Sequence, residues 1–288
     1  MPSIRFVALK RALLFLGLIP LLSSCSMLIS STIIEPTVGN LQQQTDLELV
    51  CEGAPAYLLM IDSMIAGDPD SKNLLRIGSQ AYTGYITAMA ECNMPKERVM
   101  TIAEKGRLHG TSLLSKLLPI SPGTDEKEFQ KALNKLTTCN VPNLFWGTLA
   151  WLNWIQVQQG SPASLADLAM VEKMMVRLIE LDESFQAGSS HLFFGAYYAT
   201  RPAMLGGDPE KSRTHFERAL QLSDRKFLIV QVLYAETLSR QLFDQQLHDA
   251  LLKEVLEFPI DDAPEYALSN QVAKRKARRL LDEDYFAE

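Results

Sequence analysis

Apolar residues recur at three- and four-residue steps along almost the whole chain beyond residue 57, and two-residue alternation is hard to find anywhere. Such a period turns one face of each segment toward a core as a helix and denies a sheet its inward stripe. An all-α fold follows. Leu58, Leu59, Ile61, Met64 and Ile65 predict a short helix that stops at Gly67-Asp68-Pro69. Leu74, Leu75, Ile77, Ala81, Tyr82, Tyr85 and Met89 predict a second over 71–91. Pro95 suits the start of a third, where its missing N–H would be unpaired anyway. The same pattern predicts helices over 143–159, 164–180, 190–200, 209–222, 227–242, 244–257 and 264–281. About ten or eleven helices result, most joined by short turns.

Helices so joined stack as antiparallel hairpins, and one pair carries a repeat-like pattern. Phe194-Gly195-x-x-Tyr198 followed by Ser212-x-x-x-Phe216-x-x-Ala219 resembles a degenerate tetratricopeptide unit with a lengthened connection at 201–207. Small residues let such helices approach, and aromatics fill the groove. The domain reading is a signal peptide at 1–24, a tether at 25–39 and a single helical domain over 40–288. The Pro- and Gly-containing stretch 119–125 marks where two sub-bundles would divide.

The first 24 residues have a separate purpose. Arg5, Lys10 and Arg11 precede an apolar run of signal-peptide length, too short to span a bilayer. The run ends in Leu22-Ser23-Ser24-Cys25, which resembles a bacterial lipobox with Cys25 as the acylated residue. Removing three positive charges from a formal −6 leaves a 264-residue body at −9. No later stretch holds 18 uncharged apolar residues, so the body is expected as a globular domain tethered to a membrane through acyl chains, facing the periplasm. Ser26 in place of an aspartate points, by resemblance to Gram-negative sorting, to the outer membrane.

Chemistry is harder to find. The sequence has no HExxH, GxSxG, GxxxxGK[ST] or GxGxxG, so neither catalysis nor a cofactor is expected. His109, His191, His215 and His248 lack metal-ligand spacing, and His191 and His215 each read as a surface or helix-terminal residue. Asp182-Glu183, Asp261-Asp262 and Asp282-Glu283-Asp284 read as solvated caps. Without a basic excess there is no nucleic-acid footprint. Of the cysteines beyond Cys25, Cys51 with Cys92 or Cys92 with Cys139 would join neighbouring hairpins, whereas Cys51 with Cys139 would skip one; one bridge and none are both compatible with the sequence.

All three tryptophans fall within 146–154. Trp146, Trp151 and Trp154 share no narrow face at 100° per residue, so their helix is apolar nearly all round and central. Core packing explains it. A cavity lined by those indoles, with Asn153 as a sparse polar anchor for an apolar ligand, explains it as well. Arg201 ends a helix beside Gly206-Gly207, where a cation complements the carbonyl end or meets an anionic ligand group.

The stretches Trp146 to Ile155, Leu181-Asp182-Glu183-Ser184, His191-Leu192-Phe193-Phe194-Gly195 with Arg201-Pro202, and Leu205-Gly206-Gly207-Asp208-Pro209 through Ala219 resemble the TRAP transporter-associated T-component lipoproteins. The likeness extends to Leu59 to Ser63, Leu251 to Leu256 and Arg275 to Leu281. It implies a periplasmic lipoprotein that works with the solute-binding protein of a tripartite ATP-independent periplasmic (TRAP) transporter, as a possible homotrimer presenting a hydrophobic small-molecule ligand. It brings no agreed ligand residues. The candidates are therefore Trp146, Trp151, Asn153, Trp154, Tyr198 and Arg201 for the ligand and Cys25 for lipidation. The alternative is an envelope scaffold that binds a protein and no ligand.

Overall fold

A computed structural model describes residues 35–121, 123–158 and 162–287. The expected signal peptide, Cys25 and most of the tether lie outside the described residues. Residues 1–40 and 41–288 cluster as separate units. The described residues contain twelve α-helices and no strand. They are α1 (Glu35–Gln42), α2 (Leu47–Gly67), α3 (Lys72–Met89), α4 (Lys96–Ser115), α5 (Glu126–Asn134) and α6 (Val141–Val157). After these come α7 (Pro162–Asp182), α8 (Phe185–Thr200), α9 (Pro209–Leu222), α10 (Ile229–Tyr234), α11 (Gln245–Glu257) and α12 (Ala267–Asp282). The all-α expectation is met, as an array in which most of the helices pack on a neighbour in sequence.

Most boundaries follow from caps. Asp46, Ser71, Asp125, Asp208 and Asp244 each accept a backbone N–H from the first turn of the helix they precede. Asp46 also corrects the expected start of the first long helix. α2 begins eleven residues before Leu58 and carries Pro55 inside it. Its stripe of Leu47, Val50, Ala54, Leu58, Ile61 and Ile65 is buried, which holds the helix together through the proline. By length and composition α2 could cross a membrane, the one such helix among the described residues.

Three further differences have local causes. α5 occupies a stretch where no helix was expected, because only Phe129 and Leu133 in it are buried and the rest is polar. The last five positions assigned to the tether, 35–39, belong to α1. The expected helix over 227–242 is α10 followed by a wide π turn over Ala235–Ser239.

The first hairpin is antiparallel. Cys51 near the start of α2 is disulfide-bonded to Cys92 just past the end of α3, and Cys139 is free and exposed. Further along, Asp62 meets Tyr82 and Ile65 meets Gly78, so a step forward on one helix is a step back on the other. Across 119–125 the chain returns onto itself: a Cβ on Gly110 of α4 would stand 2.8 Å from the Gly147 carbonyl of α6, a close approach that needs glycine. α6 is thereby enclosed by α3, α4 and α7.

Candidate functional site

The helix bearing the tryptophans is central. Trp146 is 8% and Trp151 6% exposed, both in one apolar cluster with Phe145, Met174 and Phe194. The Trp151 indole N–H donates to Asp167 at 2.9 Å, so its polar handle is committed to α7. Trp154 is half-buried beneath the Arg107 guanidinium, 5.0 Å from the ring centroid. Asn153, between them, has a buried Nδ2 with no hydrogen-bond partner. An unpaired buried donor costs about 1–3 kcal/mol, and none of the helix's other side chains carries such an atom.

The other two expected residues lie on or just past α8. The three tryptophans share one core cluster with Tyr198, but Arg201 stands apart in the connection to α9. Arg201 places its guanidinium over the Tyr197 ring at 4.1 Å and donates to the Leu205 carbonyl at 3.3 Å. It thus ties the connection, through the Leu205 carbonyl, to the Tyr197 side chain of α8. Tyr197 in turn donates to Glu172 of α7. Burial and the Glu172 carboxylate both push the Tyr197 hydroxyl well above the usual tyrosine range.

α8 and α9 meet where the sequence places its small residues. Ser212 Oγ donates to the Gly195 carbonyl at 2.7 Å, and a Cβ on Gly195 would press on the Phe216 ring at 2.8 Å. The 201–208 connection folds back tightly, with Asp208 N–H bonded to the Tyr198 carbonyl. At its tip Met204 and Leu205 are 89% and 62% exposed.

That register creates a cluster the sequence reading missed. His191 Nδ1 and His215 Nδ1 are 2.9 Å apart, and His191 Nε2 is 3.1 Å from Glu183 Oε2. Arg218 grips Glu183 with two nitrogens. His191 is therefore buried and His215 half-buried, and Glu183, partly exposed at the turn before α8, is bonded to both His191 and Arg218. His191 and His215 are 24 residues apart in the chain, so no local spacing announces them; the Gly195–Phe216 contact is the signal that could have placed them side by side. His215 also stacks on Tyr198 and Phe194, at centroid distances of 5.7 and 5.2 Å.

Electrostatics keep this cluster uncharged on the rings. Burial lowers the pKa of His191, against the pull of Glu183, and burial with the His191 neighbour pushes His215 down to about 4. The Arg218 hydrogen bond holds the Glu183 carboxyl below its ordinary range. Beside the cluster an open pocket of about 420 Å³ is lined by Glu183, His191, Thr214, His215, Glu217 and Arg218, with Gln221 bonded to the arginine. Among the described residues no three His, Cys, Asp or Glu side chains converge as metal ligands do.

The fold and these sites define an all-α helical array with a buried tryptophan helix and a polar pocket between two of its helices. The chain belongs to the TRAP transporter T-component family, whose model matches residues 43–286. It is an accessory component of a TRAP transporter, and so a cell-envelope protein. It is also similar to an uncharacterised protein of Treponema pallidum (strain Nichols), 25% identical over 257 residues, which span 83% of this chain and 79% of the relative.

Proposed function

We propose that the protein is a periplasm-facing lipoprotein, held through Cys25 in the outer membrane, that binds a largely apolar organic solute and passes it to the solute-binding protein of its transporter. One observation carries the ligand part: the buried, unpartnered Asn153 Nδ2 beside Trp154, on a helix that is apolar over most of its surface. Small-molecule sites combine an apolar wall with a few oriented polar groups, and a donor kept unpaired at a cost in stability is suited to a solute carbonyl or carboxylate. Trp154, Tyr198 and the cluster they share supply the apolar wall. Trp146 and Trp151 lie buried in the same cluster, and Arg201 ties the connection to Tyr197 of α8.

The test is mass spectrometry of the full chain extracted from envelopes under native conditions. A bound organic molecule is expected on the native protein and not on the Asn153→Leu or Trp154→Ala variants; a ligand-free native protein counts against the reading. The homotrimer implied by resemblance belongs to the same proposal, and sedimentation of the same preparation at three times the chain mass supports it.

A second reading has its own support. Met204 and Leu205 project from a connection pinned by backbone hydrogen bonds and by Arg201, as an apolar tip presented to a protein partner would. In that reading the chain is an interaction scaffold without a ligand, and Met204→Ser with Leu205→Ser abolishes partner capture while Asn153→Leu leaves it intact.

A further inference from the structure

The hydrogen-bond chain running inward from Arg218 fixes which nitrogen of His215 is left for the pocket. Glu183, held as a carboxylate by Arg218, accepts and does not donate, so the proton facing it belongs to His191 Nε2. A neutral His191 then offers a lone pair at Nδ1, and the proton between the two rings belongs to His215 Nδ1. A neutral His215 has one proton only. Its Nε2 is therefore an acceptor, no described group donates to it, and it is absent from the buried unpaired atoms.

The charges around that acceptor have a sign. Glu183 and Glu217 bring two negative charges to the lining, Arg218 brings one positive charge already bound by Glu183, and the rings are neutral. Glu217 accepts from the Tyr234 hydroxyl through Oε1 at 3.2 Å, and the Arg225 charge acts on it from outside the pocket lining. At about 420 Å³ the pocket is broadly open to solvent, with room for the polar end of a small molecule. We propose that the pocket between α8 and α9 is a binding site for an organic ammonium group, which donates to His215 Nε2 with Glu217 as its counter-charge, and that it rejects carboxylates. This site is separate from the tryptophan helix and does not depend on solute transfer to a partner.

Three probes of one shape separate the possibilities on the full chain at pH 7.5: benzylamine, benzyl alcohol and benzoate, titrated calorimetrically. Benzylamine is expected to bind at least tenfold (about 1.4 kcal/mol) more tightly than benzyl alcohol, with benzoate weakest. His215→Phe keeps the stacking on Tyr198 and abolishes benzylamine binding. His191→Phe frees the tautomer of His215 and brings amine and alcohol within a few-fold of each other. Glu217→Gln, which keeps an oxygen for the Tyr234 hydroxyl while removing the charge, weakens benzylamine several-fold and leaves the alcohol unchanged. Benzoate binding as tightly as benzylamine, no binding by any probe, or benzylamine binding that survives both His215→Phe and Glu217→Gln overturns the proposal.

Discussion

Arg279 sets two guanidinium nitrogens on both carboxylate oxygens of Glu91, at 3.1 and 3.0 Å, across 188 residues of chain. One helical turn earlier Arg275 bonds Glu48. The last helix is thus fastened to the first hairpin, and both acids stand beside the disulfide: Glu48 three residues before Cys51, Glu91 next to Cys92. An array that would otherwise have two free ends has them joined at one seam.

Breaking that seam has a measurable cost. The Glu91 side chain is 6% exposed and that of Arg279 49%, so the pair lies between surface ion pairs, worth up to about 1 kcal/mol, and buried ones, where losing a partner costs about 3–5 kcal/mol. Arg279→Ala is expected to destabilise by about 1–2 kcal/mol. Hydrogen exchange should show the loss in α12 and around residue 91, and a double-mutant cycle with Glu91→Gln isolates the pair.

Replacing Cys51 and Cys92 by serine opens a 41-residue loop. On the chain-entropy model the loss is about 4 kcal/mol. Because Glu91 adjoins Cys92, reduction should also lower amide protection in α12; unchanged protection there would uncouple the disulfide from the seam.

Gly195→Ala drives a methyl into the ring of Phe216, which is fully buried and stacked on Tyr234 at 4.6 Å. With no room for the ring to retreat, overpacking of about 1–3 kcal/mol is expected. The α8–α9 register carries the His191–His215 contact, so the variant should also shift both imidazole resonances in NMR spectra.

The histidine pair makes stability depend on pH in one direction. His215 titrates near 6.5 when unfolded and about 4 when folded, and His191 is lowered as well. Between those values the unfolded chain binds protons that the folded chain refuses, so stability falls as pH drops from 6.5 toward 4 and is complete above 6.5. Urea midpoints for the native chain should decline over that window, by the equivalent of up to about 3 kcal/mol at pH 4, and His215→Phe should flatten the decline.

Much of the fold was legible because it rests on local rules. Asp208-Pro209 announces the start of α9, Ser71 caps α3 where expected, and the tryptophan run reads as central because no polar face interrupts it. What escaped depends on chain distance or on sparse burial. α5 hides behind a polar sequence with two buried residues, and α2 extends upstream because a buried stripe outweighs Pro55. The disulfide was one of two pairings the sequence left open. The Glu183–His191–His215 chain escaped entirely, since side chains 8 and 24 residues apart meet only after a connection folds back on itself. Of the expected ligand residues, Asn153 stands out by its missing partner, a property that only packing reveals.

Asn153→Leu bears most directly on the account. If the amide is held unpaired for a solute, the variant should be more stable than the native chain by about 1 kcal/mol, because an unsatisfied buried donor is gone. In the same native mass spectrum it should lose the organic adduct that the native protein carries. A variant that is less stable and keeps the adduct, or a native protein that carries none, contradicts the account.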